Sequence, residues 1–397
     1  MVGWGAMGQR AAYDHAIVGA GLSGLLLARA LAARGPRGVG GGARVLLADR
    51  APPDGQPVTF AHWARSATAL DEWAVGAWDR LLVVGHDRRT RRVGLDGWTY
   101  TAIRWDRARA ALAAELAADP RVDVVWAPVD AIRDGEDHAA VRIGGAWETA
   151  RWVYDSRPPV PGPAGPQGAR RGVALLQTFR GVWVQTSEDA IDTSAATLLD
   201  FSADDAPDLG FTYVLPVGPR LAMVMAVRMG ELVGLPDPLP AVGRVTGRSL
   251  WEVVGEESGT TPLVAPAPPR RLGRRVLAIG RRGGRARPST GYAVTRILAD
   301  TAAIAASVDR HGHPMAVPPD PRWQRALDAI WMRALVRERA GLEPAFLALF
   351  AQAPIDRVLR FLDGGAGPRD VASVIRALPP RPFLRAAVEQ AGRSIRG

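Results

Sequence analysis

Apolar residues fall along this chain in two rhythms, and the change of rhythm divides it. The run Tyr13-Asp14-His15-Ala16-Ile17-Val18 has the length of a buried strand, and Leu25 to Ala33 continues as an apolar, alanine-rich helix. Arg44-Val45-Leu46-Leu47-Ala48 predicts a second strand, with Gly35 to Gly42 as the turn before it. Trp98 to Arg104 reads as a strand and Asp106 to Asp119 as a helix. Val122 to Trp126 and Val141 to Ile143 read as a small antiparallel element, with Trp152-Val153-Tyr154-Asp155 as another strand. Pro158 to Gly168, rich in proline and glycine, predicts a loop. Four strand-like segments follow: Leu175 to Thr186, Thr197 to Ser202, Phe211 to Pro216 and Leu221 to Val227. Together they predict a sheet with one face free to cover a pocket. Glu256 and Glu257 read as part of a helix surface. Arg274 to Ile279 is one more buried strand and Ala293 to Ser307 a helix. From Asp320 onward the spacing of Trp331, Leu335, Leu347 and Phe350 is helical, with proline breaks near Pro344, Pro354 and Pro379.

The predicted class is therefore α/β: a Rossmann-type nucleotide lobe, a β-sheet substrate lobe and a helical C-terminal tail. The nucleotide lobe is discontinuous, over 13–60, 101–155 and 270–310. The substrate lobe takes 61–100 and 160–265, and the tail 320–397. A chain of 397 residues has room for this division.

The glycines give the first lobe its chemistry. Gly19-Ala20-Gly21-Leu22-Ser23-Gly24 stands between the first strand and its helix, the order that dinucleotide binding needs. Gly19 permits the tight turn, Gly21 lets a pyrophosphate approach the backbone, and Gly24 lets helix and strand pack closely. Asp49, followed by Arg50, ends the second strand about 25 residues beyond Gly24, near the spacing at which a carboxylate holds a ribose hydroxyl. A second glycine-bearing turn follows the late strand at Gly280, Gly283 and Gly284, and leads through Pro288-Ser289-Thr290-Gly291-Tyr292 into a helix. Two such turns, one at each end of the lobe, point to FAD rather than a freely exchanging NAD.

Composition removes several chemistries. There is no cysteine, so no disulfide, thiolate metal site or cysteine nucleophile, and no lysine, so no lysine Schiff base. The net charge of +10 is carried by arginines spread along the chain, without a zinc-knuckle or basic-aromatic RNA-binding pattern. A solvated basic surface is the expectation, not nucleic-acid binding, and it leaves attraction to an anionic membrane open. The leader Met1 to Ala12 lacks an apolar core, and no apolar run reaches the roughly 18 residues of a membrane span. A cytoplasmic protein, free or peripheral to a membrane, is expected.

One ordered set of segments carries a family resemblance. Asp155-Ser156-Arg157-Pro158, Gln177-Thr178-Phe179-Arg180-Gly181, Leu199-Asp200-Phe201, Tyr213-Val214-Leu215-Pro216 and the stretch from Ile279 to Tyr292 with its P-S-T-G-Y resemble the bacterial lycopene β-cyclase family. Thr59-Phe60-Ala61-His62-Trp63 looks like a drifted form of that family's T-W-x-F-W segment. Arg360-Phe361-Leu362 and Leu378 to Leu384 are similar to its helical tail. The resemblance implies a fold like that of flavoprotein hydroxylases, with FAD bound in its reduced form. It also implies a cyclisation without net redox change: a polyene is protonated at a terminal alkene, the cation closes a ring, and a proton leaves. The substrate would be a hydrophobic polyene drawn from the membrane. Such a cation needs an apolar, aromatic wall and exclusion of water; Trp63, Trp98 and Trp183 are candidates, and core packing is the plainer role for each.

The chain departs from the family at one position. Members carry an acidic residue, thought essential, on the strand after Y-V-L-P, and that position falls on Met225. No carboxylate lies between Pro216 and Glu231, and a thioether donates no proton. The substitute acids are His62, Asp155, Asp200 and Glu231; for Asp155 an ion pair with Arg157 or a turn hydrogen bond is the better expectation. Three functions remain: a flavin-dependent cyclase or isomerase of a polyene, extending to terpenoid or polyketide polyenes of specialised metabolism; an FAD oxidoreductase or monooxygenase acting on a hydrophobic small molecule; or a flavin- or ligand-binding homologue without turnover.

Overall fold

The computed structural model describes residues 11–34, 43–157, 173–202, 209–230, 234–247 and 249–395. The turn expected at Gly35 to Gly42, the loop from Pro158 and the candidate acid Glu231 lie outside these residues.

The first lobe starts with β1 (Tyr13–Val18), α1 (Leu22–Ala32) and β2 (Val45–Asp49). The pairing of β1 and β2 is parallel. β1 is buried on both faces: Ile17 packs with α1, and Ala16 and Val18 pack on the opposite side. That explains the unbroken apolar run, since parallel strands are covered above and below. Leu25, Leu27 and Leu31 of α1 are fully buried against the sheet, each stabilising the lobe by about 1.5–3 kcal/mol.

The chain then leaves the lobe through β3 (Thr59–Ala64), β4 (Ala74–Trp78), β5 (Arg80–Val84), β6 (Thr90–Gly94) and β7 (Thr99–Arg104). β3, β7 and β4 form a small antiparallel sheet. It returns through α2 (Trp105–Ala118), β8 (Val122–Trp126), β9 (Val129–Arg133), β10 (Ala139–Ile143) and β11 (Ala146–Asp155). The strand expected at Val122 to Trp126 does not join an antiparallel element. It pairs parallel with β2, at one edge of a sheet ordered β8-β2-β1-β11-β10-β9. The helix α2 before it makes the connection a parallel crossover, a topology that periodicity does not reveal.

The second lobe is built from β12 (Val173–Thr186), β13 (Ala196–Asp200), β14 (Leu209–Gly218), β15 (Leu221–Gly230), the short helix α3 (Leu239–Val245) and β16 (Trp251–Ala265). With β5 and β6 they make a seven-stranded sheet ordered β16-β12-β15-β14-β13-β5-β6. Its outer face packs Val182, Val184, Val224 and Ala222 against α3. Its inner face packs Trp183, Met223, Met225, Val227 and Leu215 into the largest core, shared with Trp63 and Tyr100 of the small sheet.

β16 overturns the helix-surface reading of Glu256 and Glu257. The segment is a 15-residue strand held by β12 along its length. Its Glu-Glu-Ser-Gly-Thr-Thr centre lacks apolar alternation, so local pattern could not announce it; pairing with a long neighbour decides the conformation. Glu256 points to solvent and Glu257 is buried.

The chain finally re-enters the first lobe with β17 (Val276–Ala278), parallel to β11, and α4 (Val294–His311). The tail follows as α5 (Arg322–Arg337), α6 (Glu343–Gln352), α7 (Ile355–Asp363), α8 (Pro368–Ala377) and α9 (Pro380–Ile395). It closes over the inner-face core through Trp331, Met332, Leu349, Leu359 and Leu362. Among the described residues, no helix is long and apolar enough to cross a membrane.

Candidate functional site

The two glycine turns, far apart in sequence, meet in space. Gly19 adopts a left-handed φ of 104°, and a Cβ at Gly24 would collide with the Gly19 carbonyl oxygen. Gly21 differs: nothing lies within 4 Å of where its Cβ would point. The first hydrogen bond of α1 runs from the Leu25 N–H to the Gly21 carbonyl at 3.0 Å, leaving the preceding amides without intrahelical acceptors. Gly280, at φ 58°, brings the second turn against this helix start, where its Cβ would stand 3.1 Å from Ser23 Cβ. Gly284 and Gly291 are also left-handed, while Gly283 has no room for a Cβ beside the Ala278 carbonyl.

Asp49 accepts the Ala20 N–H at 2.5 Å and lies 3.8 Å from Arg109, whose guanidinium also holds the Ala20 carbonyl. It therefore braces the glycine loop at the mouth of the cradle, with Arg50 exposed beside it. Asp155 closes the far side. It is 1% exposed and gripped by both Arg157 and Arg282 at 3.0 Å, so the ion pair with Arg157 is present and the carboxylate is committed to it.

Pro288 to Tyr292 forms a compact loop, with the Gly291 N–H donating to the Arg287 carbonyl at 2.8 Å. Ser289 and Arg287 both donate to Asp328 of α5, at 2.7 and 2.8 Å, and Thr290 donates to the Leu362 carbonyl of α7. Gly291 packs so closely on Gln177 of β12 that a Cβ would strike its amide oxygen. The loop thus joins lobe, sheet and tail. An open glycine edge, a free helix start, a carboxylate after β2 and a second glycine turn all fit a dinucleotide.

The inner face of the large sheet carries the remaining chemistry. Strand register places Glu257, Gly181, Met225 and Tyr213 side by side across β16, β12, β15 and β14. Glu257 is 7% exposed; its Oε2 accepts the Thr59 N–H at 2.7 Å. Burial pushes its carboxyl above the usual carboxylate range, against the opposing pull of Thr59, Trp183 and Arg104. Among the described residues, Glu257 Oε1 and Thr59 Oγ are buried without a closed hydrogen bond, and the Trp183 indole stands beside the Glu257 carboxyl as the Trp63 indole stands beside Asp363.

Three further rings, those of Trp63, Tyr100 and Tyr292, gather by the Tyr213 of this row. Trp63 meets Tyr292 edge-on at 4.8 Å and stacks with Tyr100 at 6.0 Å. Burial pushes the phenols of Tyr100, Tyr213 and Tyr292 up, so all three stay neutral. At the Trp63 end, Asp363 closes α7 near Thr295, Tyr292 and the Trp63 indole, and burial pushes its carboxyl up to about 7.

The other candidate acids stand elsewhere. His62 alternates with Trp63 on β3, so it projects from the opposite face, with Nε2 3.5 Å from the Thr68 hydroxyl. Burial lowers its pKa below the ordinary value, which disfavours the imidazolium form that an acid role would need. Asp200 pairs with Thr212 in register, on the outer face; it accepts from the Ser202 N–H and hydroxyl and meets Arg244 of α3 at 3.3 Å. Met225 sits on the inner face, 3% exposed.

Sequence reasoning missed Glu257 and Asp363. For Glu257 the only local signal was a polar stretch of strand length with glycine and proline within and after it. Asp363 ends a helix, and nothing local distinguished it from a surface residue. A separate cavity of about 270 Å³, lined by His15, Arg34, Arg151 and Asp309 among others, lies at the amino-terminal ends of the strands, away from the glycine turns.

The family model described as "Lycopene cyclase protein" matches residues 14–388. Among curated proteins, no sequence matches the chain. Among solved structures, it is similar to a flavoprotein/dehydrogenase from Cytophaga hutchinsonii (TM-score 0.58, 14% identity, 96% of this chain and 99% of that one). It is also similar to the p-nitrophenol 4-monooxygenase PnpA from Pseudomonas putida (TM-score 0.55, 14% identity, 96% and 98%). A geranylgeranyl bacteriochlorophyll reductase-like protein from Thermoplasma acidophilum is a third (TM-score 0.53, 14% identity, 95% and 96%). At such identities the likeness is one of fold.

Proposed function

The chain belongs to the lycopene cyclase family, and from that premise we propose that it is an FAD-dependent cyclase that isomerises a linear polyene without net redox change. The observation that carries the reading is the inner face of the sheet: a buried carboxyl pushed toward its neutral form, in one row with Tyr213 and on the same face as the clustered rings of Trp63, Tyr100 and Tyr292 and the Pro288–Tyr292 loop.

Gly19, Gly21 and Gly24 with the start of α1 would take the pyrophosphate of FAD, Asp49 the ribose, and the Gly280 to Tyr292 segment the flavin side. Reduced FAD, when bound, supplies electron density that stabilises a nearby cation. The residues around it have the other tasks. Trp63, Tyr100, Tyr213 and Tyr292 offer ring faces to positive charge. The tail helices exclude water that would quench a cation. A neutral acid on this face starts the reaction, and a proton leaves at its end, so substrate and product share one formula. The class of substrate is a long hydrophobic polyene, lycopene or a terpenoid or polyketide relative; the net charge of +10 suits approach to an anionic bilayer.

The test is an anaerobic reaction of the purified protein with lycopene in liposomes, with FAD reduced chemically. A less conjugated product of unchanged mass supports the reading. A product differing by hydrogen or oxygen moves the protein to flavin oxidoreductases or monooxygenases, and bound FAD with every polyene returned unchanged removes the cyclase reading.

A further inference from the structure

The strand that carries the family's acid has Met225 instead, yet the row it belongs to still contains a carboxyl. We infer that Glu257 of β16 donates the proton that starts cyclisation, an inference that rests on the cyclase reading above.

Three observations carry it. The first is register: Glu257 and Met225 both pair with Gly181, so all three occupy one row on one face. The second is the missing side chain between them. A Cβ on Gly181 would stand 2.9 Å from Met225 Cε and 3.3 Å from Glu257 Cγ, so the two side chains lean toward each other over the glycine. Their backbones are two strand spacings apart, about 10 Å, and a glutamate reaching across from β16 brings its carboxyl over the space that a residue at 225 addresses from β15. The third is the state of the carboxyl oxygens. Oε2 is fixed by the Thr59 N–H at 2.7 Å, while Oε1 is buried and closes no hydrogen bond. The Thr59 hydroxyl and the Trp183 indole stand beside the carboxyl but neither closes a hydrogen bond to Oε1, which leaves a proton there available to a substrate carbon.

The surroundings suit both ends of a transfer. Burial favours the neutral acid before the step. Arg104, its guanidinium 5.1 Å over the Trp183 ring and paired with Asp106, lies near enough to favour the carboxylate that remains afterward. Tyr213 faces Glu257 from β14 as a neutral phenol. In the step itself the Oε1–H bond breaks and a C–H bond forms at the terminal alkene. The resulting cation takes the electron pair of a neighbouring double bond to close the ring, and a ring C–H then gives up its proton to leave a ring double bond. One proton enters and one leaves, and no oxidant or reductant is consumed. Asp363, on α7, stands by the Trp63 indole, and Trp63 lies four residues, or about 13 Å along β3, from the Thr59 that holds Glu257, so Asp363 is outside the row.

The test compares wild type, E257Q, D363N and the double variant M225E/E257Q in the anaerobic liposome assay with lycopene, alongside flavin absorbance and the infrared carbonyl band of protonated carboxyls. Wild type should give the isomer. E257Q should bind FAD as wild type does and lose at least about 100-fold in turnover, the scale of general acid catalysis. It should also lose one protonated-carboxyl band. The double variant, with a carboxyl restored to the same row from the neighbouring strand, should regain at least about tenfold over E257Q. E257Q turning over within about threefold of wild type overturns the assignment, as does D363N alone abolishing the reaction while E257Q retains it. If wild type makes no isomer from any polyene, the cyclase reading fails. The infrared band then still decides the state of Glu257, and a spectrum identical in wild type and E257Q removes it as a proton carrier.

Discussion

The two lobes hold their chemistry in different ways. In the nucleotide lobe, function is contiguous: a strand, its glycines and the helix after it occupy residues 13 to 32, and the carboxylate closes the next strand. In the sheet lobe, function is transverse. Glu257, Gly181, Met225 and Tyr213 come from four strands and meet only through register. A site of the first kind depends on each residue's place in the sequence. A site of the second kind can carry an acid on one strand or another without altering the row, which is the shift proposed for Glu257.

The largest effect expected from breaking this comparison lies in the contiguous lobe. Gly24→Ala drives a methyl into the Gly19 carbonyl and should cost about 3 kcal/mol or more, read as a fall in thermal midpoint with loss of flavin absorbance. Gly21→Ala points into open space. It should leave stability within about 0.5 kcal/mol of wild type while weakening FAD binding at least about tenfold, measured by flavin titration. Equal effects of the two would mean that the turn is structural only.

In the sheet lobe, Gly181→Val wedges a branched side chain between Met225 and Glu257 and should destabilise by about 1–3 kcal/mol. It should also abolish turnover with FAD still bound. Unaltered turnover would show that the row does not act as a unit.

Asp363→Asn should have an effect of about 2 kcal/mol, with a sign set by its neighbours. Its folded pKa of about 7 lies above the unfolded value near 3.9, so the wild-type carboxyl adds nothing adverse at pH 4, costs stability progressively as pH rises from about 4 to about 7, and the cost levels off above that. The asparagine does not ionise. The variant should match wild type at pH 4 and exceed it by about 2 kcal/mol at pH 8 in urea unfolding. A pH-independent difference would mean that Arg287 and Arg296 hold the group ionised throughout.

The smallest effect on turnover belongs to His62→Ala. The side chain stands on the far face of β3 and is neutral, so turnover should stay within about threefold in the same assay. Abolished turnover with an intact fold would return it to the reaction.

These differences mark what was legible in the chain. The α/β class, β1, β2, β8, β10, β11 and β17 of the first sheet, β12 to β15 of the second and the glycine turns follow from local runs and punctuation, because buried strands and tight turns impose residue types directly. Asp155 was legible as an ion-paired group because Arg157 stands two residues away. The edge position of β8 and the strand state of Glu257 were not legible, since both depend on partners more than 60 residues distant. That His62 stands on the face opposite Trp63 was not legible for a related reason. Alternation along β3 sends neighbouring residues to opposite faces, and which face is the working one depends on Thr59 and Trp63 meeting the large sheet and α7.

The most direct test of an acid-initiated, redox-neutral reaction is the mass of the product formed from lycopene by wild-type protein with reduced FAD in deuterated buffer. The account predicts an isomer carrying one deuterium per ring formed, delivered from an exchangeable carboxyl. A product that has gained oxygen, lost hydrogen or cyclised without deuterium would contradict it.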